Sequence, residues 1–168
     1  MKKVLVCLLL LGFVPLLSQN QKAAPCSSPE ASQFDFWLGE WDLTYNDTSH
    51  AFNSITREMG TCVIHEHFKD PTTKYFGESW SVYNPKTKEW QQTWVDTQGG
   101  YITLTGSFEN GQVILYTDWV VDIEGNGTRN RMLFSNITAD KFDWDWASTK
   151  DDGKTWKSNW KIHYSRVK

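Results

Sequence analysis

The chain has 168 residues, with 17 basic against 20 acidic side chains and a formal net charge of −3, so it lacks the positive surplus of a nucleic-acid-binding protein. It carries 10 tryptophans, 9 phenylalanines and 6 tyrosines, too many rings for a disordered chain. Beyond residue 17 only 5 leucines remain (Leu38, Leu43, Leu104, Leu115, Leu133), which argues against a helical bundle with its leucine core.

Lys2 and Lys3 precede an apolar run from Val4 to Leu17, followed by polar Ser18, Gln19 and Asn20. This is the pattern of a secretory signal peptide near residues 1–19. The run is short for a membrane span, so a retained anchor is the weaker alternative, and no stable membrane insertion is expected after signal removal. Loss of Lys2 and Lys3 would take the net charge to about −5. The expected location is secreted or periplasmic. Cys7 leaves with the signal, and the two remaining thiols, Cys26 and Cys62, suggest one disulfide in an oxidising compartment. The alternative is two unrelated buried thiols.

Residues 20–27 read as a linker and 28–168 as a single domain. Ser28-Pro29-Glu30 is a helix start, with Ser28 as cap and Pro29 in the first turn; the helix should be brief and end near Gly39. After Trp41 the hydrophobic pattern has period two, broken by Asn84-Pro85, Gly99-Gly100, Asn110-Gly111, Gly125-Asn126-Gly127 and Asp151-Asp152-Gly153. The expected strands are 41–46, 52–59, 61–69, 75–84, 89–97, 101–109, 112–121, 128–137, 140–149 and 154–167. Short, evenly spaced strands with tight turns predict an all-β fold, an antiparallel up-and-down β-barrel of about ten strands with a short N-terminal helix.

Alternation assigns the faces. In the last strand Trp156, Ser158, Trp160, Ile162 and Tyr164 should point inward, and Lys157, Asn159, Lys161, His163 and Ser165 outward. Phe142, Trp144 and Trp146 form the inward face of the preceding strand, and Trp90, Gln92, Trp94 and Asp96 share a face of an earlier one. Cys62, Ile64, Glu66 and Phe68 face the interior, so Glu66 needs a partner or a raised pKa. Arg57, Arg131 and Gln92 are candidate partners; Glu66 is either a polar anchor in a ligand pocket or half of a buried pair that fixes register. His65 and His67 share the outer face. Their His-x-His spacing suits a metal, but no third ligand is evident, so solvated histidines are expected and no metal or cofactor is assigned. Thr149-x-Asp151-x-Gly153-x-Thr155-Trp156 reads as a hairpin turn in which Asp151 binds backbone amides and Trp156 tucks beneath. No nucleophile elbow, phosphate loop or nucleotide fingerprint is present in the sequence.

Phe34-Asp35-Phe36-Trp37-Leu38-Gly39-Glu40-Trp41 resembles the opening signature of an uncharacterised, mostly bacterial family, a domain of unknown function. Cys62-Val63-Ile64 with Glu66, Tyr83-Asn84-Pro85, Gln92 with Trp94-Val95-Asp96, Asp151 with Gly153-Lys154-Thr155-Trp156, and Tyr164 with Arg166 follow in the order that this resemblance implies. The chain departs from it at Ala147, where an acidic residue is expected. The resemblance implies a calycin-like barrel, shaped like lipocalins and fatty-acid-binding proteins, and no established activity. Gly39-Glu40-Trp41 also resembles the lipocalin Gly-x-Trp, which implies that Trp41 closes the barrel end with Arg166 stacked over it. Some barrels with such an opening hold haem through a C-terminal histidine, but His163 falls on the lysine face.

The function expected is binding of a small, partly apolar molecule inside the barrel. Trp94, Trp144 and Trp160 would line the site, with Glu66, Gln92, Asp96 and Arg131 as polar contacts. Two other classes remain: an enzyme using Glu66 or Asp96 as acid or base, and a structural or interaction module with a filled barrel.

Overall fold

The computed structural model describes residues 24–168. The signal-peptide reading falls outside them. Eleven strands follow two short 3-10 turns: β1 (Gly39–Tyr45), β2 (Ser49–Glu58), β3 (Val63–Asp70), β4 (Tyr75–Asn84), β5 (Glu89–Asp96), β6 (Tyr101–Glu109), β7 (Gln112–Tyr116), β8 (Val120–Val121), β9 (Gly127–Ser135), β10 (Lys141–Thr149) and β11 (Lys157–Arg166). Consecutive strands pair antiparallel, β7 continues to β9, and β1 pairs with β11, so ten strands close into a barrel; the two-residue β8 pairs only with β9. The expected all-β antiparallel barrel is therefore the observed one.

Three local differences have physical causes. The N-terminal helix is two 3-10 turns, Pro29–Ser32 and Asp35–Trp37, and the Ser28 side chain forms no cap bond. The carbonyls of Phe36 and Leu38 are taken by Arg166 instead, which ends the helical path. The strand expected over 112–121 stops at Tyr116, where the Thr117 backbone N–H and side chain both turn to Asn130. In β11 the register jumps: Trp160 pairs with Trp146, but Ser158 pairs with Ala147, leaving Asn159 as a bulge. One extra residue reverses the alternation. Ser158 bonds Asp145 on the outer face and Trp156 lies against Arg131 and Tyr116, whereas Trp160, Ile162 and Tyr164 stay inside.

The rings form two clusters. At the entry end Phe34, Phe36, Trp37 and Trp41 from the 3-10 turns and β1 pack on Trp90, Phe134 and Phe142. Trp41 donates through Nε1 to the Trp37 carbonyl at 2.6 Å, and the Arg166 guanidinium lies 4.1 Å over its ring. Arg166 also donates to the carbonyls of Leu38 (2.6 Å), Phe36 (3.0 Å) and Ala139 (2.7 Å), tying the last strand to the chain's entry into the barrel. Gly39 sits at φ +112, and a Cβ there would lie 2.6 Å from Arg166 Nη1, so only glycine lets the guanidinium in. Arg166→Lys keeps the charge but loses the fork and the stacking. Denaturant unfolding should show a loss of about 2 kcal/mol, since each lost contact is worth roughly 1 kcal/mol.

The Cys26–Cys62 disulfide is present and fastens the segment before the 3-10 turns to the residue preceding β3. Such a bond suits an oxidising, extracellular or periplasmic setting. Among the described residues no helix is long and apolar enough to cross a membrane. The 149–156 turn forms as expected: Asp151 accepts from the Thr155 amide (2.9 Å) and from the hydroxyls of Thr155 (2.6 Å) and Thr149 (2.7 Å). The Thr155 hydroxyl and amide hold the Asp151 carboxyl down at about 2.

Candidate functional site

The second aromatic cluster lies toward the opposite end of the barrel, where it leaves a cavity of about 100 Å³. Its walls are Phe68 (β3), Tyr75 (β4), Trp94 (β5), Trp144 and Trp146 (β10) and Trp160 and Tyr164 (β11), with aliphatic Ile102, Leu104, Met132 and Ile162. Trp144 and Trp146 lie nearly parallel with centroids 6.4 Å apart, and Trp160 stands edge-on to Trp144 at 5.6 Å. Phe68 meets Trp160 and Trp94 edge-on at 5.9 and 6.1 Å. The Trp94 ring lies against the β4 backbone at Gly77, where a Cβ would come within 2.1 Å of the indole. Gly77 is thus the gap that admits that wall.

Glu66 is the carboxylate in this wall. The inward phase of β3 buries it with Ile64 and Phe68 on either side. Its partners are neutral: Asn53 Nδ2 donates to Oε1 at 2.6 Å and Ser79 Oγ donates to Oε2 at 2.5 Å. Asn53 Nδ2 also donates to the Tyr164 hydroxyl at 3.2 Å. Burial pushes the Glu66 carboxyl up to about 7 against the pull of the Ser79 and Asn53 bonds. Burial, with the Glu66 carboxylate close by, also raises Tyr164 well above its ordinary value. Two buried acceptors nearby have no partner, Asn53 Oδ1 and Gln92 Oε1.

Of the side chains expected at the site, Glu66, Trp94, Trp144 and Trp160 meet around this one cavity. Gln92 is buried on the inner face of β5 and donates to Ser81 Oγ at 2.9 Å, outside the cavity wall. Asp96 stands behind the wall, where it accepts from Tyr75 Oη (3.0 Å), Trp94 Nε1 (2.9 Å) and the amides of Gln98 and Gly100 (2.8 and 2.9 Å). Burial alone would raise its pKa, but these bonds, that from Trp94 foremost, hold it below the usual carboxylate value. Asp96 thereby orients two of the wall rings.

Arg131 lies on the outer face of β9, since Met132 and Phe134 take the inner one; its guanidinium packs 4.5 Å over Trp156. Arg57 pairs with Asp35. The cations considered as partners for Glu66 are both engaged elsewhere, and Asn53 and Ser79 take that role.

Phe68, Tyr75 and Trp146 are wall residues without a role in the sequence-based site. Phe68 and Trp146 were legible as inward by alternation, but only the register brings Tyr75 to them. His65 and His67 are on the outer face as expected, yet they are not simply solvated, for both reach Glu78. His163 is exposed and bonds Asp143 through Nδ1 at 2.5 Å.

A ten-strand antiparallel barrel with one end sealed by an aromatic plug and an arginine, and a ring-lined hollow toward the other, has the shape of a calycin-like fold. No protein-family model and no curated protein matches the chain. The family resemblance of the Phe34–Trp41 motif therefore rests on its residues alone.

Proposed function

We propose that this is an exported binding protein, its signal peptide near residues 1–19 and its barrel domain over 28–168, which holds a small, partly apolar molecule in the ring-lined cavity. The observation that carries the reading is a cavity of about 100 Å³ walled by seven aromatic side chains and a single buried carboxyl group. A solid structural barrel has no need of a buried acid facing a void, since burying a carboxylate with only neutral partners is costly. The size is somewhat below the roughly 150 Å³ of a cavity that takes up benzene, so the ligand is of that order or smaller. Its apolar part would lie between Trp144, Trp160 and Trp94. A polar hydrogen would be offered to Glu66 when that group is ionised, or a lone pair when it is protonated. The disulfide supports export, because such bonds persist in oxidising compartments.

Native mass spectrometry of protein from its own host, together with a tryptophan-fluorescence panel of phenol, aniline, benzylamine and short-chain acids and alcohols, tests the reading. A retained small molecule, or a saturable response lost on filling the hollow with Ile102→Trp, is the expected result. An empty barrel and no response to any compound overturns it.

A second reading has its own support. A carboxyl group with a pKa of about 7 inside a ligand-sized cavity is tuned for acid or base work near neutrality. In that case Glu66→Gln keeps the fold and the ligand affinity while turnover of the bound molecule stops. Asp96, saturated with hydrogen bonds, would serve only to position Tyr75 and Trp94.

A further inference from the structure

We propose that His65, His67 and Glu78 bind one divalent transition-metal ion, of the zinc class, on the outer wall of the barrel. Strand β3 turns Ile64, Glu66 and Phe68 inward, which leaves His65 and His67 on the outer face two residues apart. The β3–β4 register sets Glu78 directly opposite His67 and Trp80 opposite His65. The third ligand that spacing along the chain could not reveal is thus supplied by the next strand.

Each imidazole already stands at a coordinating separation from an oxygen of Glu78. His65 Nε2 is 3.2 Å from Glu78 Oε2 and His67 Nδ1 is 3.3 Å from Glu78 Oε1. One ligand atom from each residue can be chosen so that all three lie within 4.8 Å of one another. Tetrahedral zinc, with bonds of about 2.0–2.1 Å, spaces its ligand atoms about 3.3 Å apart. The ring of His65 stacks on Trp80 at 4.5 Å and 16°, which fixes one ligand before the ion arrives.

The chemistry selects the ion. Two imidazoles and one carboxylate suit zinc, copper or nickel, whereas calcium and magnesium prefer oxygen alone. The set carries one negative charge. The residues directly across on β2, Thr56 and Ser54, and on β5, Val95 and Thr93, are uncharged; Lys69, next on the same face of β3, is the nearest cation along the strand. The side chains of His67 and Glu78 are 38% and 44% exposed, so a water or an outside group completes the coordination. Cys26 and Cys62 are tied up as a disulfide and do not compete for metal. The site is separated from the cavity by the barrel wall and does not depend on it.

The test is a calorimetric titration of zinc into the untagged, oxidised chain after chelator treatment. One ion per chain with micromolar or tighter affinity is expected. His67→Ala and Glu78→Gln should each weaken it at least about ten-fold. His50→Ala and His163→Ala should leave it unchanged. Circular dichroism confirms that the variants are folded; should His65→Ala lose structure with its Trp80 stack, the two more exposed positions carry the test. No saturable one-to-one binding, or full affinity retained in folded His67→Ala and Glu78→Gln, overturns the proposal. In that event Glu78 is only a carboxylate bridging two imidazoles.

Discussion

Replacing Cys26 and Cys62 together by serine lowers the unfolding free energy by about 4 kcal/mol, the chain-entropy value for a loop closed over a sequence separation of 36. The effect arises in the unfolded chain, where the bond holds together a loop that includes β1 and β2. Residues 24–28 belong to no strand or helical turn, and the 3-10 turns after them are too short to persist alone. With the bond cut, the Phe34–Trp37 plug must find the barrel end unaided, and the cost falls on the entry cluster of Phe34, Trp37 and Trp90. The ten-strand closure does not pass through the disulfide, so the double variant should remain a barrel. Urea unfolding of the oxidised protein and of the variant measures the difference. A loss under about 1 kcal/mol would mean that the unfolded chain is already compact there.

Glu66→Gln should make the protein more stable at pH 8 by up to about 3 kcal/mol while changing it little near pH 5. The folded pKa of about 7 lies above the ordinary value of 4.5. Between those two values the folded chain keeps a proton that the unfolded chain has released. The unfolded state binds fewer protons there, and stability falls as pH rises, reaching its full cost above pH 7. The gap corresponds to about 3 kcal/mol. Glutamine removes the titration and can keep both contacts, its oxygen accepting from Asn53 and its amide donating to Ser79. Thermal unfolding of both proteins from pH 4.5 to 8.5 checks this. Parallel curves would show that the cavity is wet enough to solvate the anion.

The architecture was legible because nearly every strand ends at a turn the backbone demands, Asn110-Gly111 being the clearest. Glu66 was legible as an inward acid because its own strand alternates cleanly. Its partners were not, since Asn53 and Ser79 each lie 13 residues away and meet it only through the registers of two hairpins. Trp156 went to the wrong face for a different reason. The bulge at Asn159 leaves no mark in a pattern of alternating rings, and a single extra residue reverses everything before it. Arg131 drew notice by its charge, while Met132 and Phe134 settled the phase of its strand. Glu78 had no mark at all until β4 was laid against β3.

The pairing of Trp41 with Arg166 joins the first strand to the last. While the chain is being made, β1 therefore lacks one of its neighbours until β11 exists, and an open sheet edge invites other chains. Contacts so distant along the sequence also form slowly. A protein wired in this order gains from being kept unfolded until it is whole, and crossing a membrane as an unfolded thread before folding would meet that need.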